Sequence, residues 1–374
     1  MPTPKLRVGI LGAGEVAQVI HLPTLALLSD LFTTVSVCDI SAQTAAHCAQ
    51  KFHVSHSTTD PHAVIKHPDV DVVFVLTSDE QHCPLAVATL QAGKHVMIEK
   101  PITLSLPSAQ RIIDAEKTAP NGARVFVGYM RRYATTFTQA FKREVGGIPR
   151  ILYARSRDIV GPNSFFVSQS GTFQKRWEDF PDGAGAERER LMSALVGETF
   201  GGGEVTKEMY QYCRFLGSLG SHDLSLMREA LGFPESVEAV SANEPFYSAI
   251  FNYKNKSGEP FAVTYESGID MVPRFDAHLT VYGEKKTVSI HYDTPYVGVG
   301  GALPIKVRVD EMNEQGEAVS REILSSYQSA YVTELQELHE CFANGKAIKT
   351  TAEDAREDLR LFDLMYQQYR KTRT

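Results

Sequence analysis

The sequence predicts an α/β domain on a doubly wound parallel sheet, followed by an α+β domain with a large, mostly antiparallel open sheet. Three observations carry this. Short β-branched runs alternate with longer amphipathic segments through the first third of the chain, as in strand–helix–strand units whose sheet is covered on both faces. Beyond about residue 130 the runs lengthen and alternate, separated by turn signals such as NKSGEP and YGEKK, which reads as antiparallel strands. A glycine-rich turn directly follows the first strand, where a doubly wound sheet keeps its ligand-binding turn.

In chain order, the first domain should hold strands at Leu6–Leu11, Thr34–Cys38, Val72–Leu76, His95–Ile98 and Val125–Val127. Helices are expected between them near Val16–Leu28, Ala42–Lys51, Cys83–Gln91 and Ser105–Lys117, with Gly93 stopping the third. The second domain should hold strands at Ile151–Arg157, Val237–Asn243, Ser248–Tyr253, Phe261–Ser267, Ala277–Tyr282 and Thr287–His291, then helices near Ala330–Asn344 and Ala352–Tyr369. The expected division is residues 1–128 and 129–374, with a lid-like insertion at about 161–216 that is polar, aromatic and glycine-rich. Phe165, Phe166, Phe173 and Trp177 in that insertion suit either a sugar-stacking surface or a small private core.

Composition excludes several classes of function. At 374 residues the chain is long enough for two domains, and 43% hydrophobic with 22% charged residues is ordinary for a soluble globular protein. A net charge of -7 argues against nucleic-acid and anionic-membrane partners, which call for a basic surface. Apolar runs such as VDVVFVL are strand-sized, and the opening MPTPKLRVGIL is too briefly apolar to read as a signal peptide. Five scattered cysteines without a CxxC pair point to a reducing compartment, hence a cytoplasmic protein. His53, His56 and His62 lack cysteine or carboxylate neighbours at ligand spacing, so no metal is expected.

The segment VGILGAGEVAQVIHLP sets Gly12, Gly14 and Ala17 in a G-x-G-x-x-A pattern between strand and helix. Gly12 permits the tight turn, Gly14 lets the backbone approach a pyrophosphate, and Ala17 lets the helix pack on the sheet, its N-terminus favouring phosphate charge. Glu15 and Val16 share this turn and are further cofactor candidates. The next strand ends in Asp39, where an acidic residue grips the adenosine ribose; the alternative is a capping aspartate before Ser41. No arginine follows to meet a 2′-phosphate, which favours NAD(H) over NADP(H).

Ligands of such a sheet lie outside the carboxyl ends of its strands. Two later strand ends carry polar groups: Thr77, Ser78, Asp79 and His82 in LTSDEQH, and Glu99, Lys100 and Pro101 in IEKP. Thr77 to Asp79 and His82 also suit a helix start. Lys100, at the sheet's carboxyl edge before a proline, points toward a nicotinamide.

GILGAGEVA, TSDEQH, EKP, VGYMRRY (127–133) and GSLGSHDLSLMREALG (217–232) together resemble the successive signatures of the glucose–fructose oxidoreductase/inositol dehydrogenase/MocA family. The resemblance covers roughly the first 230 residues. It implies a Rossmann domain, an open-sheet domain, bound NAD(P), a sugar, polyol or related cyclic alcohol as substrate, and a homodimer or homotetramer joined through the open sheet face. It further implies that Gly12, Gly14, Ala17, Asp39, Thr77, His82 and Glu99 hold cofactor and that Lys100 is catalytic. Met130 and Arg131 would border nicotinamide or substrate.

The family's D-x-G-x-H-x-x-D motif here reads Ser218-Leu219-Gly220-Ser221-His222-Asp223-Leu224-Ser225, so both motif aspartates are serine. Ser218 can still face His222 one turn on, whereas Asp223 cannot take its place without a local distortion. In alcohol oxidation His222 would accept the hydroxyl proton while Lys100 stabilises the developing alkoxide. A hydroxyl at 218 raises imidazole basicity less than a carboxylate would, so Lys100 should carry more of the proton transfer, or Asp158 or Asp179 should complete the site. The alternative for His222 is a helix-start histidine with Ser221 as cap.

These readings converge on an NAD(H)-dependent dehydrogenase or reductase of a secondary alcohol or its ketone. Two rivals are a redox-neutral reaction through transient oxidation by tightly held NAD, and a catalytically degraded dinucleotide- or sugar-sensing regulator.

Overall fold

Six strands form the first sheet: β1 (Leu6–Leu11), β2 (Phe32–Cys38), β3 (His56–Thr58), β4 (Val72–Val75), β5 (His95–Glu99) and β6 (Val125–Gly128). They pair in parallel in the order β3-β2-β1-β4-β5-β6, reversing direction of travel between β1 and β4. Val72, Val73, Phe74 and Val75 of β4 are fully buried, as the unbroken apolar run of a parallel strand covered on both faces requires. The Ala42–Lys51 and Leu106–Lys117 helices start on serines, Ser41 Oγ accepting Thr44 N–H at 3.0 Å and Ser105 Oγ accepting Ser108 N–H at 3.1 Å.

The computed structural model describes residues 4–296 and 303–371, and it divides into two units. The first comprises residues 1–129, 172–206 and 334–359; the second comprises 130–171, 207–333 and 360–374. The chain leaves the first unit after Tyr129 and returns to it twice, at 172–206 and 334–359. Hydrogen bonds and a ring stack hold both returns. Glu198, on the Ala184–Thr199 helix, accepts from Ser105 Oγ (2.7 Å), Ser108 Oγ (2.6 Å) and Arg111 (2.6 Å). Val127 N–H donates to Thr350 O at 2.9 Å, Arg124 donates to Cys341 O, and the His95 ring stacks on Phe342 at 4.3 Å.

The second unit holds β7 (Ile151–Val160), β8 (Ser236–Asn243), β9 (Phe246–Lys254), β10 (Pro260–Ile269), β11 (Phe275–Gly283), β12 (Lys286–Tyr292), β13 (Lys306–Met312) and β14 (Ala318–Ile323). Their order is β14-β13-β12-β11-β7-β10-β9-β8, antiparallel except for the β7–β10 pair. One face is core: Ala154, Phe251, Val263, Tyr265, Val281, Ile290 and Val307 are fully buried at alternate positions. The alternation of the sequence thus appears as a half-covered sheet. Among the described residues no helix is long and apolar enough to cross a membrane.

Candidate dinucleotide site and acid–base residues

The turn after β1 separates two kinds of glycine. Gly12 has φ +91°, and a Cβ there would lie 2.8 Å from Leu76 O, so both backbone shape and packing demand glycine. A Cβ on Gly14 would meet nothing within 4 Å, which leaves open space above the turn. Ala17 is fully buried at the start of a wide, π-wound turn (Ala17–His21) that continues as the Leu22–Leu27 helix. Asp39 is not the cap of the next helix, since Ser41 fills that role. Its carboxylate instead bridges the two strand ends, Oδ2 accepting Ala13 N–H at 2.8 Å and Oδ1 accepting Ser41 N–H at 2.9 Å. Thr77 Oγ1, one residue beyond Leu76, is buried with no hydrogen-bond partner among the described residues. Open space over Gly14, an orphaned hydroxyl and a carboxylate at the β2 end fit a dinucleotide.

Glu15 and Val16 lie half-buried at the start of this helix, and Glu15 accepts from Arg176 at 2.9 Å and Gln174 at 3.3 Å. His82 is 1% exposed, with Nδ1 2.9 Å from Pro101 O and Nε2 3.0 Å from Thr77 O. It staples the Thr77 loop to the Lys100–Pro101 turn, so the structure places it as a support for two strand ends.

Glu99 ends β5 and is buried. Its Oε1 lies 2.7 Å from His21 Nε2, and its Oε2 accepts Lys100 N–H at 3.1 Å. Burial alone would raise this carboxyl, but His21 and Lys100 together hold it below its ordinary value. Lys100 follows, half-buried at the carboxyl edge of the sheet. Sequence reasoning missed His21, whose signal is a polar ring inside the apolar run VAQVIHLP. It also missed Glu334, on the apolar stripe of the Ala330–Ala343 helix, which is fully buried with both oxygens lacking a hydrogen-bond partner among the described residues. Burial, then the nearby Glu99 charge, push its carboxyl well above the ordinary range.

In the second unit, Met130 and Arg131 open a short buried helix (Met130–Tyr133). Arg131 Nη1 donates to Asp223 at 2.5 Å and Nη2 to Asp158 at 3.0 Å, with the Tyr292 and Phe275 rings against the guanidinium. Burial and then the Asp158 charge drive the Asp223 carboxyl well above its usual range, despite Arg131. Arg131 and Asp158 are therefore committed to a buried triad with Asp223, a residue that the serine-substituted motif had left without a role.

A π-wound turn, Leu216–Gly220, precedes the Ser221–Leu231 helix and supplies a local distortion of the motif. It does not bring Asp223 to the missing aspartate's place, because Asp223 turns inward to Arg131. Ser218 is exposed and donates to Phe215 O at 3.2 Å, while His222 is half-buried. A Cβ on Gly220 would lie 2.8 Å from Tyr265 Oη, so close packing explains that glycine. Asp179 is not in this unit: it binds Ser41 and Gln43 N–H (3.0 Å) in the first. Trp177 packs on His47 at 5.2 Å, Phe166 on Phe275 at 5.9 Å, and Phe173 is 82% exposed, so the insertion's aromatics do not form one private core.

The chain is similar to several known proteins. Myo-inositol 2-dehydrogenase of Thermotoga maritima is 31% identical over 169 residues, 44% of this chain and 49% of that protein. The scyllo-inositol 2-dehydrogenase (NAD(+)) of Bacillus subtilis is 28% identical over 170 residues, 45% of this chain and 49% of that protein. The chain thus spans about half the length of the curated relatives it matches. Aldose–aldose oxidoreductase from Caulobacter crescentus, complexed with glycerol, shares the fold at a TM-score of 0.72 and 20% identity, over 99% of this chain and 98% of that one. Residues 6–129 match the NAD-binding Rossmann fold of the Gfo/Idh/MocA oxidoreductase family, and residues 207–374 match its C-terminal alpha/beta domain. The chain belongs to the Gfo/Idh/MocA oxidoreductase family.

Proposed function

We propose that this protein is an NAD(H)-dependent oxidoreductase that moves hydride between nicotinamide and a secondary alcohol or ketone of a sugar, polyol or related cyclic substrate. The observation that carries the reading is the carboxyl edge of the first sheet, where open space over Gly14, the Asp39 carboxylate and Lys100 belong to one unit. The inositol dehydrogenases among its relatives support the substrate class.

Gly12, Gly14, Ala17, Asp39 and Thr77 would hold the dinucleotide, which supplies the hydride acceptor or donor at nicotinamide C4. Lys100 Nζ would hold the substrate hydroxyl and take its proton as the carbonyl forms. The buried His21–Glu99 pair fixes the backbone from which Lys100 springs. His222 is the second proposed proton-handling group, with Ser218 as its substituted partner. The second unit is proposed to bind substrate and to join a homodimer or homotetramer through the open face of its sheet. Five buried free cysteines support a reducing, cytoplasmic setting.

The test is a panel of polyols, sugars and their ketones followed at the NADH absorbance band in both directions. Turnover should appear and be abolished in Lys100→Ala, with NADH binding retained. Product formation without net NADH would replace this reading by a redox-neutral one. Ligand binding without any product, unaffected by Lys100→Ala, would replace it by a sensor.

A further inference from the structure

Residues 172–179 lie along the Ala42–Lys51 helix from its last residue to its first turn. Lys51 Nζ donates to Thr172 O, the Trp177 ring packs on His47 at 5.2 Å, and Asp179 reaches the helix start. The same segment is tied to the helix of the glycine turn: Lys175 N–H donates to Gln18 Oε1 at 2.9 Å, Gln18 Nε2 to Lys175 O at 2.8 Å, and Arg176 pairs with Glu15 at 2.9 Å. Asp179 is thus presented by a stretch of chain anchored on both helices, not by a free loop tip.

Its carboxylate takes two donors. Ser41 Oγ donates to Oδ1, and Gln43 N–H donates to Oδ2 at 3.0 Å. The Ser41 hydroxyl, and then Gln43 N–H, hold the Asp179 carboxyl below its ordinary value, so it is anionic at neutral pH. Ser41 lies two residues beyond Asp39 and donates its own N–H to Asp39 Oδ1 at 2.9 Å. The residue proposed to grip the ribose hydroxyls therefore shares Ser41 with an acid from elsewhere in the chain.

A 2′-phosphate adds close to two negative charges next to that ribose, and it is normally met by an arginine and by N–H and hydroxyl donors at a helix start. Here those donors are taken by a carboxylate, and Asp39 stands beside it. The nearby cations, Lys51 and Lys175, act on His47 in the middle of the helix.

We infer that Asp179 is a specificity-determining residue: its carboxylate fills the anion position at the start of the Ala42–Lys51 helix and sets a preference for NAD(H) over NADP(H). The inference rests on the proposed dinucleotide reading. It deepens that reading by placing the discrimination in two acids, one at the end of β2 and one in the insertion. Like charge and occupied donors both act against the 2′-phosphate, while neither touches a ribose hydroxyl that Asp39 can accept.

The experiment measures NADH and NADPH dissociation constants by nucleotide fluorescence and calorimetry on the full chain, without substrate. Wild type, Asp179→Asn and Asp179→Ala are compared, with thermal unfolding of each free protein as the check on folding. Asn keeps the shape and removes the charge; Ala also vacates the donors. The NADPH-to-NADH ratio of dissociation constants should fall about tenfold or more in Asp179→Ala and by a smaller factor in Asp179→Asn, with NADH affinity within about threefold of wild type. A ratio unchanged in both folded variants overturns the inference and leaves the proposed function standing. Equal tightening of NADH and NADPH also overturns it, since Asp179 would then be a general obstruction. Wild type binding NADPH as tightly as NADH overturns it outright. Wild type binding neither nucleotide overturns the proposed function and this inference with it.

Discussion

Glu99 Oε1 lies 2.7 Å from His21 Nε2, both side chains are buried, and Glu99 accepts the backbone N–H of the residue proposed to take the substrate proton. Because the Glu99 carboxyl is held below its ordinary value of 4.5, its stabilising contribution is complete above that pH and fades as pH falls through the lower folded value. Glu99→Gln should cost about 1–3 kcal/mol near neutral pH, a charged hydrogen bond's worth. The difference from wild type should shrink as the pH falls below 4.5 and wild-type Glu99 in turn becomes neutral. Urea unfolding at several pH values checks this; a constant difference across the range would refute it.

Gly12 and Gly14 should respond oppositely to substitution. Gly12→Ala forces a side chain onto the Leu76 carbonyl at positive φ and should lower stability by about 1–3 kcal/mol. Gly14→Val projects into open space and should leave the unliganded melting temperature almost unchanged, while weakening NADH binding at least about tenfold. Calorimetric melting and nucleotide titration separate the two outcomes.

Arg131 donates to both acids of its buried triad, so its removal leaves Asp158 and Asp223 facing each other without solvent. Arg131→Met should destabilise the protein by about 3–5 kcal/mol. The triple variant Arg131→Met, Asp158→Asn, Asp223→Asn should recover part of that loss, because uncompensated charge and not lost volume is the cause. Denaturant midpoints of the single and triple variants decide it, and no recovery would point to packing instead.

Ser218 stands exposed one turn before half-buried His222. A carboxylate there should favour imidazolium, so Ser218→Asp should move the acidic limb of the pH–rate profile to higher pH by up to about one unit, with solvent limiting the shift. An unmoved limb would remove Ser218 from the account of His222.

The parts of this structure that were legible in the sequence are those with local causes. β1 and the Ala42–Lys51 helix fall where β-branched runs and a serine start place them, and the glycine turn declares itself by spacing. β3 escaped notice because His56–Thr58 is short and polar at a sheet edge, and β13 and β14 because KVRVDEM and AVSREI alternate with charges. The parallel β7–β10 pairing depends on which strands meet, and no local pattern encodes that. Likewise Asp223 and Asp179 were visible as acids, but their partners Arg131 and Ser41 lie 92 and 138 residues away in sequence. Glu334 carried a fainter local sign, a carboxylate on an apolar helix stripe.

The chain's two returns to the first unit bear on the order in which the protein is made. A ribosome delivers β1 to β6 early, yet the Thr350 carbonyl that pairs with β6 and the Phe342 ring that stacks on β5 emerge only near the end of synthesis. The nascent nucleotide unit therefore waits, with part of its surface uncovered, while the whole second sheet is translated. A fragment ending near residue 129 would remain in that unfinished condition, so a portable nucleotide module cut from this protein should carry residues 172–206 and 334–359 grafted back onto it.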